Sequence, residues 1–139
     1  MTWRVTVRID FCYGHRLMEY EGACAHPHGH NGRAEISLES ESLDRRGMVM
    51  DFGDVKREMK EWIDGTMDHR MLVRSDDPLR AWLVEQGEPH LALDENPTAE
   101  AIARRIYDHA ADRGYPVVEV VLWETPGSCA TYRGGAPAG

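Results

Sequence analysis

The sequence lacks the features of several protein classes. It has three cysteines, Cys12, Cys24 and Cys129, and no C-x-x-C pair, so we expect free thiols in a reducing compartment instead of a disulfide framework. It has no apolar segment long enough to span a bilayer, and its first residues lack the uninterrupted apolar core of a signal peptide. We therefore expect a cytoplasmic protein with no membrane partner.

The chain also has little positive charge. Its 16 basic and 24 acidic residues give a formal net charge of -8, and no basic run is long enough for a nucleic-acid patch. We therefore expect no nucleic-acid partner. The H-E-x-x-H pattern of many zinc hydrolases is absent, and no internal repeat is found. With 139 residues and 42% hydrophobic content, one domain with one modest core is expected.

Two strands with alternating polarity bring three histidines together. Alternation over residues 3–15 predicts a half-buried strand whose apolar face ends in His15. A second strand starts at His28 and places His28 and His30 at the beginning of its apolar face. If the two strands pair as an antiparallel hairpin, the end of the first lies beside the start of the second. The three imidazoles then converge on one face.

The rest of the chain predicts helices followed by two more strands. Apolar spacing after Asp51 predicts a helix with Asp51 or Asp54 as its N-cap and an end near Gly65. A second helix is expected to begin at Asn96-Pro97, with Asn96 as its N-cap. Strands are predicted over 117–123 and 129–133.

The order of these elements predicts an α+β domain. It consists of a four-stranded antiparallel sheet with two main helices on one face. We expect the domain to span 1–133 and residues 134–139 to form a flexible tail. The segment 70–95 is harder to interpret, and a short helix from residue 78 and an extended stretch over 90–93 are its expected elements.

The three histidines predict a metal site. Neutral imidazoles that leave one coordination position open are typical of catalytic zinc, although they also suit iron, nickel or copper. The alternative is that they are unrelated loop histidines. Cys24 precedes His28 by four residues, and its thiolate would be a base or nucleophile if it stands beside the ion. A buried, unreactive thiol is the alternative for Cys24.

Two further features carry possible chemistry. Asp68 directly precedes His69, and such an aspartate can orient an imidazole for proton transfer; the alternative is a solvated loop pair. Glu124 ends an otherwise apolar strand face, so its carboxylate must find a donor or face solvent. It would suit either the edge of an amino-pyrimidinone ring or a structural salt bridge.

Taken together, these residues resemble the 6-pyruvoyl-tetrahydropterin and 6-carboxytetrahydropterin synthase family over nearly the whole chain. The motifs that carry the resemblance, in this order and spacing, are Phe11-x-x-x-His15-Arg16-Leu17, Cys24-x-x-x-His28-Gly29-His30-Asn31, Gly47-Met48-Val49-x-Asp51-Phe52, Asp68-His69, Asn96-Pro97-Thr98-x-Glu100, and Glu124-Thr125 followed by Ala130-x-Tyr132.

The resemblance implies a tunnelling fold, in which the sheets of several subunits join into a barrel, usually as a hexamer made of two trimers. It implies that His15, His28 and His30 bind Zn²⁺ and that Cys24 is the catalytic base. Asp68 and His69 would assist a Cys24 that can belong to a neighbouring subunit. Glu124 and Thr125 would bind the pterin substrate, 7,8-dihydroneopterin triphosphate.

The compact Cys-x-x-x-His-x-His spacing is similar to that of the bacterial 6-carboxytetrahydropterin synthases of the queuosine and deazapurine route. The expected reaction yields 6-carboxy-5,6,7,8-tetrahydropterin, acetaldehyde and triphosphate. The alternatives are a 6-pyruvoyl-tetrahydropterin synthase, an aldolase-like cleavage of the dihydroneopterin side chain, and a non-enzymatic oligomer that binds pterin or metal. Cys12, His26-Pro27 and the long segment after His69 depart from the compact bacterial pattern.

Overall fold

A long antiparallel hairpin forms the centre of the fold in a computed structural model that describes residues 1–134. Its strands are β1 (Trp3–His15) and β2 (His28–Ser40). His15 lies opposite His28, and Tyr13 lies opposite His30. The predicted hairpin and its register are therefore confirmed. The predicted flexible tail, 134–139, lies outside the described residues except for Gly134.

Within residues 1–134 the sheet has six strands, so the predicted four-stranded antiparallel sheet is wrong. The additional strands are β3 (Arg70–Arg74) and β4 (His90–Leu93), and the last two are β5 (Val117–Thr125) and β6 (Ser128–Tyr132). The strand order is β4-β3-β1-β2-β5-β6. β3 pairs in parallel with both β1 and β4, whereas the other pairs are antiparallel. The sheet is therefore mixed, as in many α+β domains.

In the described part of the chain three α-helices accompany the sheet: α1 (Phe52–Thr66), α2 (Pro78–Gln86) and α3 (Ala99–Asp112). The side chain of Asp51 caps α1 as predicted, because it accepts hydrogen bonds from the N–H groups of Gly53 and Asp54. α2 confirms the short helix expected in segment 70–95.

The N-cap of α3 differs from the prediction. Thr98 caps this helix by accepting from the N–H of Ala101 at 3.1 Å. Asn96 instead bonds both the N–H and the carbonyl oxygen of Met18, each at 2.8 Å. Asn96 therefore links the loop after β1 to the start of α3, because its side-chain amide can both accept from the N–H of Met18 and donate to its carbonyl oxygen.

α1 and α3 cover one face of the sheet and form one core with it. Each helix buries a stripe at helical spacing, as its apolar pattern predicted. Fully burying one such aliphatic side chain stabilises the fold by roughly 1.5–3 kcal/mol. The fully buried core side chains include Ile9, Ile36, Leu38, Val55, Met59, Ile63, Ile102, Ile106, Val120 and Leu122.

The opposite face of the sheet carries cross-strand ion pairs. Arg8 bonds Glu35, and Arg33 bonds Asp10, across β1 and β2. These residues occupy the even positions of β1 and the odd positions of β2, so their side chains point away from α1 and α3. The polar face is therefore continuous across the central strands.

The loop that follows β1 is attached to α2 by a buried ion pair. Arg16, which directly follows His15, donates from Nε to Asp77 Oδ2 at 2.8 Å and makes a second bond to Oδ1. Asp77 is 2% exposed and also caps α2 by accepting from the N–H of Leu79. None of the helices within residues 1–134 is long and apolar enough to cross a membrane.

Candidate active site

The three predicted histidines meet at the end of the central hairpin. His15 Nε2 lies 3.1 Å from His28 Nε2 and 3.2 Å from His30 Nε2. The hairpin register produces this convergence, since His15 and His28 are directly opposite and His30 is two residues along the same face. Three Nε2 atoms at these separations surround a point that a metal ion can occupy.

The outer nitrogens of two of these rings are held by backbone carbonyls. His15 Nδ1 lies 2.7 Å from Pro97 O, and His28 Nδ1 lies 2.7 Å from His26 O. An Nδ1–H that donates to a carbonyl leaves the Nε2 lone pair free to bind a metal. Burial also lowers the pKa of His15, which favours the neutral, ligating form. The three residues therefore fit a divalent metal ion.

Glu124 lies beside the histidines. Its Oε1 is 3.4 Å from His30 Nε2 and its Oε2 is 3.9 Å from His15 Nε2. The side chain is 27% exposed, so it borders the opening of the site and is not sealed in the core. The carboxylate can therefore contact a metal-bound group or accept hydrogen bonds from a ligand that enters there.

Tyr13, on the buried face of β1, is a neighbour of this cluster to which the sequence alone gives no functional role. Its ring packs edge-on against His15 with a centroid separation of 5.3 Å. Burial raises the pKa of the Tyr13 hydroxyl, and the nearby charge of Glu124 adds to this effect. Within residues 1–134 this hydroxyl has no hydrogen-bond partner. No local sequence signal distinguishes it from a core tyrosine.

Cys24 lies in a short 3-10 turn, Ala23–Ala25, within the loop that joins the hairpin strands. Its carbonyl accepts from the N–H of Leu17 at 2.8 Å, which fixes the turn against the start of the loop. The residue is half-buried, so its thiol is neither sealed in the core nor fully solvated. Within the described residues its thiol belongs to neither of the two groups of potential ligands that the fold assembles.

Asp68 and His69 form the hydrogen-bonded pair that the sequence predicts. Asp68 Oδ2 accepts from His69 Nδ1 at 2.7 Å, and its Oδ1 accepts from the N–H of Cys12 at 3.0 Å. Burial alone would raise the pKa of Asp68, but these two hydrogen bonds hold it below its ordinary value. The pair is therefore an ionised carboxylate that orients an imidazole.

The chain places this pair beside Cys12 and not beside Cys24. His69 has a left-handed backbone (φ 58°), and its N–H donates to the carbonyl of Cys12 at 2.7 Å. Cys12 Sγ lies 3.4 Å from His69 Nε2 and 3.8 Å from Asp68 Oδ1. Strand alternation points Cys12 to the face opposite His15. Cys12 therefore also belongs to this site, although the sequence alone gives it no role.

Two cavities adjoin this pair. One, of about 880 Å³, is bordered by Cys12, Asp68 and His69 and also by Thr125, the other predicted substrate residue. Another, of about 600 Å³, is bordered by Cys12 and His69 and by two of the three converging histidines, His28 and His30. His28, His30 and His69 therefore border one cleft at the end of the hairpin.

The sequences of known proteins identify the family. A family model described as 6-pyruvoyl tetrahydropterin synthase matches residues 4–135. The chain is 34% identical over 130 residues to the 6-carboxy-5,6,7,8-tetrahydropterin synthase of Rickettsia conorii, with 88% of this chain and 94% of that protein covered. It is 32% identical over 161 residues to the synthase of the same name from Aquifex aeolicus, with 96% and 99% covered.

Solved structures share the fold. An uncharacterised protein from Wolinella succinogenes has a TM-score of 0.82 and 28% identity, with 97% of this chain and 99% of that chain covered. The 6-pyruvoyl tetrahydropterin synthase of Caenorhabditis elegans has a TM-score of 0.73 at 22% identity, with 97% of each chain covered, and this likeness concerns the fold alone. With the sequence matches above, the chain belongs to the 6-pyruvoyl tetrahydropterin synthase family.

Proposed function

We propose that the protein is a zinc-dependent 6-carboxy-5,6,7,8-tetrahydropterin synthase. It would convert 7,8-dihydroneopterin triphosphate to 6-carboxy-5,6,7,8-tetrahydropterin, acetaldehyde and triphosphate, in the cytoplasm and for the queuosine and deazapurine route. The observation that carries this proposal is the convergence of three Nε2 atoms, two of them from rings whose Nδ1 is held by a carbonyl. The names of the relatives from Rickettsia conorii and Aquifex aeolicus support the choice of product.

The metal would be held by His15, His28 and His30. When bound, Zn²⁺ supplies Lewis-acid polarisation of a substrate oxygen, which acidifies the neighbouring C–H bond. The protein holds the metal-binding rings in a fixed orientation. The carbonyls of Pro97 and His26 hold two of the three rings in place before a ligand arrives.

Cys24 would act as the base that removes a proton from the substrate side chain. Its position on a half-buried turn, four residues before His28 in the sequence, supports this role because the thiol is partly accessible there. The positive charge of a neighbouring ion would favour the reactive thiolate.

Asp68 and His69 would pass a proton to and from Cys24 of a neighbouring subunit. This assignment is supported by the hydrogen bond between the two side chains and by the low pKa of Asp68, since an ionised aspartate stabilises a protonated imidazole. Within one chain the pair contacts Cys12 instead of Cys24, as expected if a second subunit completes the site.

A homo-hexamer built from two trimers would supply that second subunit. The described sheet ends in strands β4 and β6, each paired on one side, and unpaired strand edges are commonly covered by another chain. We propose that these edges join neighbouring sheets into the barrel of the tunnelling fold, with the ion-paired face of β1 and β2 turned inward.

Glu124 and Thr125 would bind the pterin. The Glu124 carboxylate at the mouth of the histidine cluster can accept two hydrogen bonds from the amino-pyrimidinone edge, while Thr125 borders the cavity beside Asp68 and His69. The Glu124 carboxylate would then hold the edge of the ring, with the side chain of the substrate directed at the metal. Charge-assisted bonds of this kind also set the orientation of the ligand.

The proposal is tested by incubating the zinc-loaded protein with 7,8-dihydroneopterin triphosphate and identifying the products by mass spectrometry. We expect 6-carboxytetrahydropterin, with turnover lost in Cys24→Ala and retained in the matched control Cys129→Ala, whose thiol is exposed on β6. Cys24→Ala should keep its zinc, because the thiol is assigned as a base and not as a ligand. A 6-pyruvoyl product, which the name of the family model favours as the second candidate, would overturn the choice of product.

A further inference from the structure

Tyr13 carries a buried hydroxyl for which the described fold supplies no partner. The residue is 3% exposed, and within residues 1–134 no polar atom bonds its hydroxyl oxygen. Leaving a buried hydroxyl unbonded costs free energy that a phenylalanine at the same position would avoid. Such groups are few in folded proteins, and a functional role is one explanation for them. The function proposed above leaves Tyr13 without a role.

Three contacts hold the Tyr13 ring in one position. The ring stacks on Phe11 with 5.4 Å between the centroids, and it meets the ring of His15 edge-on. On the neighbouring strand it lies against Gly32, where an added Cβ would stand only 3.0 Å from Tyr13 Cε1. The missing side chain at Gly32 therefore makes room for the ring, and the hydroxyl is held in place before a ligand arrives.

The hydroxyl lies beside groups that the proposed function assigns to the substrate. The ring centroid of Tyr13 is 5.7 Å from that of His30, whose Nε2 is 3.4 Å from Glu124 Oε1. Glu124 is also near enough to the Tyr13 hydroxyl for the two groups to interact electrostatically. Tyr13 borders the same cavity as His28 and His30. A ligand that is held by Glu124 and extends toward the three histidines therefore comes within reach of this hydroxyl.

We propose that Tyr13 binds the substrate by donating a hydrogen bond from its hydroxyl to a hydroxyl oxygen on the pterin side chain. This inference rests on the proposed function, because it takes the ligand to be a pterin held at Glu124 with its side chain at the metal. A phenol hydroxyl can both donate to such an oxygen and accept from its proton. A site that bonds a ligand hydroxyl discriminates against an analogue without it. Tyr13 therefore selects pterins whose side chain carries hydroxyl groups.

The test compares two pterins that differ in the side chain. 7,8-Dihydroneopterin carries the side-chain hydroxyls, 7,8-dihydropterin lacks the side chain, and neither has the triphosphate. We would measure both affinities for zinc-loaded wild type and Tyr13→Phe by isothermal titration calorimetry. Tyr13→Phe should bind 7,8-dihydroneopterin about 3- to 10-fold more weakly, as expected for the loss of one neutral hydrogen bond. It should bind 7,8-dihydropterin as tightly as the wild type does.

Tyr107→Phe is the matched control. The Tyr107 hydroxyl donates to the carbonyl of Val117 at 3.2 Å, and Tyr107 borders neither of the two cavities described above. This variant should lose stability but keep both affinities, which is the opposite pattern to that of Tyr13→Phe. Circular dichroism and zinc content should be the same in Tyr13→Phe and wild type, because the hydroxyl is assigned to the substrate and not to the metal.

The other outcomes contradict the assignment of Tyr13 in different ways. Equal affinity of wild type and Tyr13→Phe for 7,8-dihydroneopterin would overturn this inference and leave the proposed function intact. An equal loss of affinity for both pterins would overturn it as well, since Tyr13 would then act on Glu124 or on the ring and not on the side chain. Loss of zinc in Tyr13→Phe would make the hydroxyl a metal ligand instead. Wild-type protein that binds neither pterin would overturn the proposed function and this inference with it.

Discussion

Replacing Asp77 tests whether its ion pair with Arg16 stabilises the loop beside the histidine cluster. Asp77 is 2% exposed and joins Arg16, the residue after His15, to the start of α2. Asp77→Asn removes the charge but keeps a side chain that caps helices well. The variant therefore removes the ion pair with Arg16 while keeping the N-cap of α2.

The expected loss follows from the burial of the two partners. Removing one partner of a buried ion pair costs about 3–5 kcal/mol because the other charge is left uncompensated. The Arg16 side chain is 24% exposed and can regain some hydration, so we expect Asp77→Asn to lower the free energy of unfolding by about 2–4 kcal/mol. Asp77→Ala also loses the cap and should cost about 1 kcal/mol more.

The assay is urea denaturation at neutral pH, at one fixed protein concentration because association changes apparent stability. The matched control is Asp76→Asn, whose side chain is 64% exposed and pairs with Arg74. Its loss should change the stability little, because solvent-exposed ion pairs contribute little to it. If Asp77→Asn destabilises the protein no more than Asp76→Asn does, the Arg16–Asp77 pair does not hold this loop as argued.

The same pair predicts the direction of a pH effect. The hydrogen bond from Arg16 is the main cause that holds the pKa of Asp77 below its ordinary value, despite burial. A lowered folded-state pKa stabilises the protein above the unfolded value of about 3.9, and this contribution is lost as the pH falls through the folded-state pKa. The stability difference between wild type and Asp77→Asn should therefore shrink on acidification and be constant from pH 6 to 8.

Three further changes test other parts of the account. His28→Ala should lower bound zinc by one ion per chain in elemental analysis, whereas His26→Ala, whose carbonyl and not its ring contacts His28, should keep it; equal zinc in both would contradict the ligand assignment. Asn96→Ala should cost about 1–3 kcal/mol in urea denaturation, because it leaves two backbone groups of Met18 unpaired, and a loss below 0.5 kcal/mol would be too small for this role. Tyr13→Phe removes a buried hydroxyl that has no partner within residues 1–134, so stability should stay equal or rise by about 1 kcal/mol, and a clear loss of stability would contradict this reading.

The sequence predicts the convergence of the three histidines well because it depends only on two strands that are neighbours in the chain. Polar and apolar residues alternate along both strands without interruption, so the position of His15 relative to His28 and His30 follows from pairing two neighbouring strands. The short helix from Pro78 and the extended stretch His90–Leu93 are likewise confirmed, since an aspartate cap before a proline is a local signal.

The parallel strand β3 is missed because its partners are distant. Arg70–Arg74 has five residues with arginine at both ends, and it pairs with β1, more than 50 residues earlier in the chain. Such a strand carries neither a hairpin turn nor clear alternation, and a crossover connection leaves no local trace of register. This omission, together with leaving the extended stretch His90–Leu93 out of the predicted sheet, produces the wrong strand count.

The neighbours of Asp68 and His69 are missed for a similar reason. The pair itself can be read from the sequence, but its contact with Cys12 depends on where β3 enters the sheet and on the left-handed backbone of His69. The N-cap of α3 is misplaced by two residues because Asn96 and Thr98 both suit that position, and the bonds of Asn96 to Met18 decide between them.

The stoichiometry of acetaldehyde tests the proposed reaction most directly. Zinc-loaded protein is incubated with 7,8-dihydroneopterin triphosphate, acetaldehyde is trapped as a hydrazone, and the trapped amount is compared with the substrate consumed. A 6-carboxytetrahydropterin synthase releases one acetaldehyde for each substrate. Consumption of substrate without acetaldehyde, or no consumption by protein that retains its zinc, would contradict the account.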